Sequence, residues 1–181
     1  MDIYKLNWTA LQNSIFRLLC IYSGEKINQR EIARKLRVSP TAVSKALVNL
    51  KKEEIILQEK QKNMNLILVE LNRDNEKTMQ LKRTENLRLL YDSGLSEYLE
   101  DNFPGTNILL FGSYSRGEDT IKSDIDIAIL GSKFKKASLT RYEEILNREI
   151  RINFYDSFKD INKELKENLF NGIVLAGGIR L

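Results

Sequence analysis

The sequence predicts a two-domain chain of the α/β class, more narrowly α+β, and three observations carry that prediction. Residues 9–52 repeat apolar side chains at helical spacing in three separate blocks. Two β-prone runs, IILQE and LILVEL, come next with the polar bend KQKNMN between them, the pattern of a hairpin. Further on, the apolar run NILLF and the alternating run DIDIAIL read as strands of a second sheet. The expected boundaries are 1–72 for the first domain, 73–104 for a connector and 105–181 for the second domain.

Composition narrows the chemistry. The chain has no histidine and one cysteine. Ser-His-Asp and Cys-His catalysis and imidazole-bound zinc are therefore excluded. Cys20 lies in IFRLLCIY and is expected in the core. No apolar run reaches the roughly 18 residues that span a bilayer, and MDIYKLNWTALQNS lacks the basic start and apolar core of a signal peptide. A cytoplasmic protein without membrane contact is the expectation. Charge is uneven: up to Asn72 there are 12 Lys/Arg against 7 Asp/Glu, and from Arg73 onward 17 against 18. The positive excess sits in the first domain, as a nucleic-acid partner would require.

In the first helical block Leu11, Ile15, Leu18, Leu19 and Tyr22 form one face. Asn28 caps a short helix, QREIARKL, that buries Ile32, Ala33 and Leu36. After the turn Arg37-Val38, Ser39-Pro40 supplies an N-cap and a proline in the first helical position. The helix PTAVSKALVNLKKE then buries Val43, Ala46, Leu47 and Leu50. Three helices and a hairpin in this order resemble the winged helix-turn-helix regulators of bacteria and archaea. The resemblance implies a third helix in the major groove, with Thr41, Ser44, Lys45 and also Asn49 near base edges. Arg34, Lys35, Arg37, Lys51 and Lys52 would hold phosphates, and the wing tip Lys60 to Lys62 would reach another. The same fold also serves protein contact or dimerisation, and a homodimer is a possible assembly.

The connector carries Met79, Leu81, Leu87, Leu89, Leu90, Leu95 and Leu99 at spacings compatible with helices. Asp74 is a candidate cap, Ser93-Gly94 a break, and Phe103-Pro104-Gly105 a stop. The connector is expected to be helical and to pack on the second domain.

That domain holds the most informative stretch, TNILLFGSYSRGEDTIKSDIDIAIL. A buried strand over Asn107–Phe111 meets Gly112-Ser113. In the following strand Asp124 and Asp126 alternate with isoleucines, so both carboxylates project from one face. With no basic neighbour assigned to that face, the two acids repel each other unless a divalent cation lies between them. Hard oxygen ligands suit Mg²⁺ or Mn²⁺. A Gly-Ser turn gives phosphates close backbone approach, N–H groups and a hydroxyl, and a helix starting near Ser115 would add favourable potential.

This stretch resembles the signature of the nucleotidyltransferase superfamily of the DNA polymerase beta type, especially its minimal branch. The matching residues are Gly112, Ser113, Arg116, Gly117, Ser123, Asp124 and Asp126. The resemblance implies a mixed sheet flanked by helices, a nucleoside triphosphate held by Gly112, Ser113, Arg116 and Ser123, and two divalent metals, with Asp124 and Asp126 as metal ligands. It further implies a protein, nucleic-acid or small-molecule acceptor, and the antitoxin role of some minimal members suggests a toxin partner. Arg116 has two readings, a phosphate contact or a pair with Glu118 or Asp119.

Two-metal transfer needs a third carboxylate on the next strand, REIRINFYD, which follows a helix over SLTRYEEILNR. Ile150, Ile152 and Phe154 face inward there, and Glu149, Arg151, Asn153 and Tyr155 outward. The matching position is Asn153, an amide, with Glu149 about 13 Å along the strand and Asp156 just past its end. A chain lacking that base would be a nucleotide-sensing regulator. The last segment is expected to form a helix burying Ile161, Leu165, Leu169 and Phe170, stopped at Asn171-Gly172. The run IVL with GGI then closes the chain.

Overall fold

Thr9 accepts a hydrogen bond from the Gln12 N–H while the Gln12 side chain accepts from the Thr9 N–H, and this reciprocal cap starts α1 (Ala10–Ile21). A two-residue strand β1 (Ile27–Asn28) leads into α2 (Gln29–Leu36), capped by Asn28 and closed by Arg37 in the left-handed conformation. Ser39 and Pro40 start α3 (Pro40–Lys52), as the sequence predicts. Strands β2 (Ile56–Gln61) and β3 (Leu66–Leu71) form the hairpin, and β1 adds to its other side in the order β1-β3-β2.

Residues 8–61 and 66–178 are described by this computed structural model. Lys62 of the expected wing tip, most of the bend and Ile179 of the closing segment lie outside them. Ile15, Phe16, Leu19, Ile32, Val43, Leu47, Leu50 and Val69 fill the first core, with Cys20 buried among them. The face of α1 is rotated from the one expected: Gln12 and Phe16 are buried, whereas Leu11 and Leu18 are only partly so. The Gln12 side chain donates to the Ala46 carbonyl at 3.2 Å, which satisfies its burial.

The chain divides into two units, Met1–Met79 and Gln80–Leu181. Helix α4 (Glu76–Asp92), most of which belongs to the second unit, is followed by α5 (Leu95–Asn102). Asn75, and not Asp74, caps α4: its side chain accepts from the Thr78 N–H at 3.1 Å. The connector is helical as expected, with Leu90, Leu95 and Leu99 in the second core.

Strands β4 (Asn107–Phe111), β5 (Ile125–Leu130), β6 (Ile150–Tyr155) and β7 (Ile173–Ala176) form a mixed sheet in the order β6-β5-β4-β7. β5 and β6 run parallel, and the other pairs are antiparallel. A short helix α6 (Gly112–Arg116) joins β4 to the loop before β5, and α7 (Thr140–Leu146) precedes β6. One sheet face packs Ile125, Ile127 and Ile129 against Leu90, Leu95, Leu99 and Leu146. The other packs Leu109, Phe111, Ala128 and Leu130 against Ile161, Leu165 and Leu169. The last two belong to α8 (Lys163–Phe170), which starts on an Asn162 cap after a 3-10 turn at Phe158–Asp160. Phe170, expected in the core, is 53% exposed because it lies off the helix face that meets the sheet.

Candidate nucleotide site and nucleic-acid interface

The site grows from the register of three strands. Antiparallel pairing sets Phe111 opposite Asp126, and the chain leaves β4 at the next residue, Gly112. Gly112 has φ +73°, and a Cβ there would lie 2.5 Å from Asp126 Oδ2. Glycine is required twice over, by backbone conformation and by the nearness of a carboxylate. The helix begins at Gly112 itself, three residues before the expected start. Ser113 occupies its first turn, and the Ser113 carbonyl accepts from the Glu118 N–H at 2.9 Å. Asp124 immediately precedes β5 and Asp126 lies within it, so the two acids stand at the edge where β4 ends and β5 begins.

Burial and the neighbouring Asp124 charge push the Asp126 carboxyl above the usual carboxylate range, and Arg151 partly offsets this. Arg151 corrects the expectation that no basic group faces the pair. Parallel pairing brings it beside Asp126, and its Nη1 lies 2.9 Å from Asp124 Oδ2. The same guanidinium reaches Glu149 Oε1 at 3.4 Å. The register also revises the search for a third carboxylate. Asn153 pairs with Ala128, two residues beyond Asp126, whereas Ile125 pairs with Ile150, which leaves Glu149 alongside Asp124. Arg151 links Glu149 to Asp124 through its two ion pairs. Asp156 cannot swing in. It follows Tyr155, which pairs with Leu130 at the far end of the sheet, more than about 13 Å away by strand rise. Among the described residues no group of three or more acidic, His or Cys side chains is gathered for a metal.

Of the other predicted residues, Arg116 pairs with Glu118 (Nε to Oε2, 2.8 Å). Ser123 Oγ accepts from the Thr120 N–H at 3.0 Å and so closes the turn before Asp124. A recess of about 530 Å³ adjoins Asp124, lined by Lys122, Ser123, Thr140, Glu143, Glu144 and Glu149 among others. A cavity of about 690 Å³ opens at the opposite end of the sheet, beside Asp156 and Gly177-Gly178. Strand direction places it away from the acids.

The first unit presents its candidate contacts differently. Thr41, Ser44 and Lys45 lie on the exposed side of α3, together with Val48, which the sequence reading missed and which is 68% exposed. Arg34 and Arg37 are exposed as well. Lys35 is drawn to Tyr22, with Nζ 2.8 Å from the phenol oxygen and 4.5 Å from the ring centre. The hydrogen bond to Tyr22, reinforced by Glu31, raises its pKa. Asn49 is likewise engaged, donating to Glu53 at 2.9 Å. No helix among the described residues is long and apolar enough to cross a membrane.

Two family models match separate stretches of the chain. Residues 93–175 match the nucleotidyltransferase domain family, and residues 12–63 match the MarR family. A Methanocaldococcus jannaschii protein named "Putative protein adenylyltransferase" is 42% identical over 48 residues, 26% of this chain and 48% of that protein. The chain thus spans about half the length of that relative. Among solved structures, a point variant of Lactococcus lactis ZitR is 25% identical, covering 57% of this chain and 67% of its own, with a TM-score of 0.42. Wild-type ZitR in complex with DNA is 28% identical over 55% and 62%, with a TM-score of 0.39.

Proposed function

We propose that this chain, a nucleotidyltransferase domain joined to a MarR-type winged helix, binds double-stranded DNA with its first unit and transfers a nucleotidyl group with its second. The observation that carries the second half is Gly112 set against Asp126. A backbone without a side chain meets a carboxylate whose charge is disfavoured by burial and by Asp124. That arrangement fits a hard divalent cation with phosphate oxygens: two close carboxylates supply oxygen ligands, and the glycine leaves room for a triphosphate.

Asp124 and Asp126 would hold Mg²⁺ or Mn²⁺, which supplies charge neutralisation to the transferring phosphoryl group. The Gly112-Ser113 turn would receive the terminal phosphates through backbone N–H groups and the Ser113 hydroxyl. Arg116 would leave Glu118 for a phosphate oxygen, and Ser123 would keep Asp124 in place through its turn. An acceptor hydroxyl would then attack the α-phosphorus and release pyrophosphate. The relative's name favours ATP as donor and a protein hydroxyl as acceptor. The recess beside Asp124 is the acceptor's entry, and its Glu143, Glu144 and Glu149 suit a hydroxyl flanked by basic residues.

On the first unit, Thr41, Ser44, Lys45 and Val48 would meet base edges, and Arg34, Arg37, Lys51 and Lys52 phosphates. Val48 would supply an apolar contact to a thymine methyl group.

A second reading, a nucleotide-sensing regulator that no longer transfers, is favoured by one observation. Arg151 stands beside the acids on β6, where a transferase of two metals needs a third carboxylate. Incubation with α-labelled ATP, CTP, GTP or UTP and Mg²⁺, with and without cell extract, separates the two. Label on a protein, nucleic-acid or small-molecule fraction, lost in Asp124→Asn, supports transfer and gives the acceptor class. Nucleotide binding by calorimetry without any transfer supports the sensor. Absence of both defeats the nucleotide assignment.

A further inference from the structure

Helix α4 buries an unusual stripe. Its most enclosed positions are Thr78, Lys82, Asn86 and Leu90, four residues apart, and three of the four are polar. Lys82 and Asp119 are fully buried and form an ion pair. The second Asp119 oxygen lies 3.2 Å from Arg148 Nη2, and the Arg148 side chain is 1% exposed. Asn86 Nδ2 donates to Asp119 Oδ1 at 2.6 Å and to the Tyr114 carbonyl at 3.0 Å. The Tyr114 hydroxyl returns a 3.3 Å bond to the Asn86 carbonyl.

Three of these groups come from segments next to the candidate site. Tyr114 belongs to α6, the Gly112-Ser113 helix. Asp119 lies midway along the loop from that helix to Asp124. Arg148 immediately precedes Glu149 and the strand that carries Arg151. Burying charges carries a desolvation cost that pairing must offset, and apolar residues of similar volume often fill such a space without loss of stability. Stability alone therefore does not account for a lysine, an arginine and an aspartate in this position. What they supply is direction: a carboxylate with two fixed cationic partners permits one geometry, where packed methylenes permit several.

We infer that Lys82, Asn86 and Arg148, acting through Asp119, are positioning residues that hold the loop between Gly112-Ser113 and Asp124-Asp126 in one arrangement for the metal-bound triphosphate. The inference rests on the nucleotide reading given above. Through Asp119 and the Tyr114 carbonyl these contacts reach the backbone of α6 and of the loop Gly117–Ser123.

The test joins one measurement on the unaltered protein to one on a variant. Hydrogen exchange on the unaltered protein should show the Glu118, Thr120 and Ser123 amides exchanging only as slowly as the β5 amides. Fast local exchange of this loop overturns the inference without any nucleotide being present. The variant replaces Lys82, Asp119 and Arg148 at once, as Lys82→Met with Asp119→Leu and Arg148→Met. It should keep its circular dichroism and a melting temperature at or above that of the parent. Its loop amides should exchange at least tenfold faster, and its calorimetric affinity for Mg·ATP should fall at least tenfold. Parental exchange and affinity in a folded variant overturn the inference, and so does a variant that loses its fold, which makes the network simply structural. If the unaltered protein does not bind Mg·ATP, the nucleotide reading fails, and the exchange measurements still decide whether the network anchors the loop.

Discussion

The two units place their candidate side chains in opposite ways. In the first, the residues suited to DNA stand on the outer side of α3 and at the end of α2, where Arg34, Arg37, Thr41, Ser44 and Lys45 are exposed. In the second, the candidate site is set into the end of a sheet, and the groups that shape it are buried: Asp126 in part, Asp119, Lys82 and Asn86 almost wholly. An outward helix face needs only a stable helix behind it, and its contacts are summed from separable side chains. A site at a sheet edge depends on register, on a glycine and on partners from distant segments. Substitutions should therefore act gradually in the first unit and abruptly in the second.

The largest effect expected from this contrast is in Asp124→Asn with Asp126→Asn. Mg²⁺-dependent nucleotide binding should disappear in calorimetry, while DNA affinity in a fluorescence titration stays at the parental value. A variant that still binds Mg·ATP would break the assignment.

Gly112→Ala comes next. A methyl group 2.5 Å from Asp126 Oδ2, on a backbone at φ +73°, combines a clash with strain of about 1–3 kcal/mol. Nucleotide affinity should drop by tenfold or more and the melting temperature should fall. An unchanged affinity would show that the turn is looser than a sheet-edge site requires.

In the first unit, combined Arg34→Ala, Arg37→Ala and Lys51→Ala should lower the slope of log affinity against log salt by about 0.9 for each phosphate no longer neutralised. Nucleotide binding should be untouched. A salt slope equal to the parent's would point to a winged helix that contacts protein.

Val48→Ala removes two methylene-sized groups, of which a thymine methyl covers one, and should have a smaller effect, near fourfold at about 0.8 kcal/mol for that buried group. Replacing thymine by uracil in the bound DNA should weaken binding similarly in the parent and little further in the variant.

The smallest effect is on stability. Because burial raises the Asp126 pKa in the folded state, folding favours its protonated form. Its contribution is full at pH below the ordinary Asp range and is lost as pH rises through the raised folded value. Asp126→Asn should flatten that decline and raise the melting temperature slightly at neutral pH. A steeper decline in the variant would contradict the sign.

How much of this was legible in the sequence follows from the same contrast. The helices of the first unit were readable because capping residues and apolar periodicity are local: Asn28, Ser39 and Pro40 start helices where predicted. The strand Asn107–Phe111 and the acid-bearing strand after Ser123 were readable as well, since alternation alone sorts Asp126 from Ile125 and Ile127. The engagement of Lys35 with Tyr22 and of Asn49 with Glu53 was not. Periodicity tells which side a residue faces and not which neighbour reaches it.

In α4 the same rule misleads. Leucines mark the expected buried face, yet Lys82 and Asn86 are more enclosed than Leu87 or Leu89. The reason lies in Asp119 and Arg148, whose charges make that enclosure possible and which stand 37 and 66 positions after Lys82. Likewise, strand identity was local information, but the shift that sets Arg151, and not Asn153, beside Asp126 comes from pairing between strands. By itself the sequence determined the elements and singled out Gly112, Asp124 and Asp126 as a candidate core, because each depends on side chains a few positions apart. Only the tertiary structure decided what surrounds that core, because burial and charge pairing are set by groups that the chain brings together from far along its length.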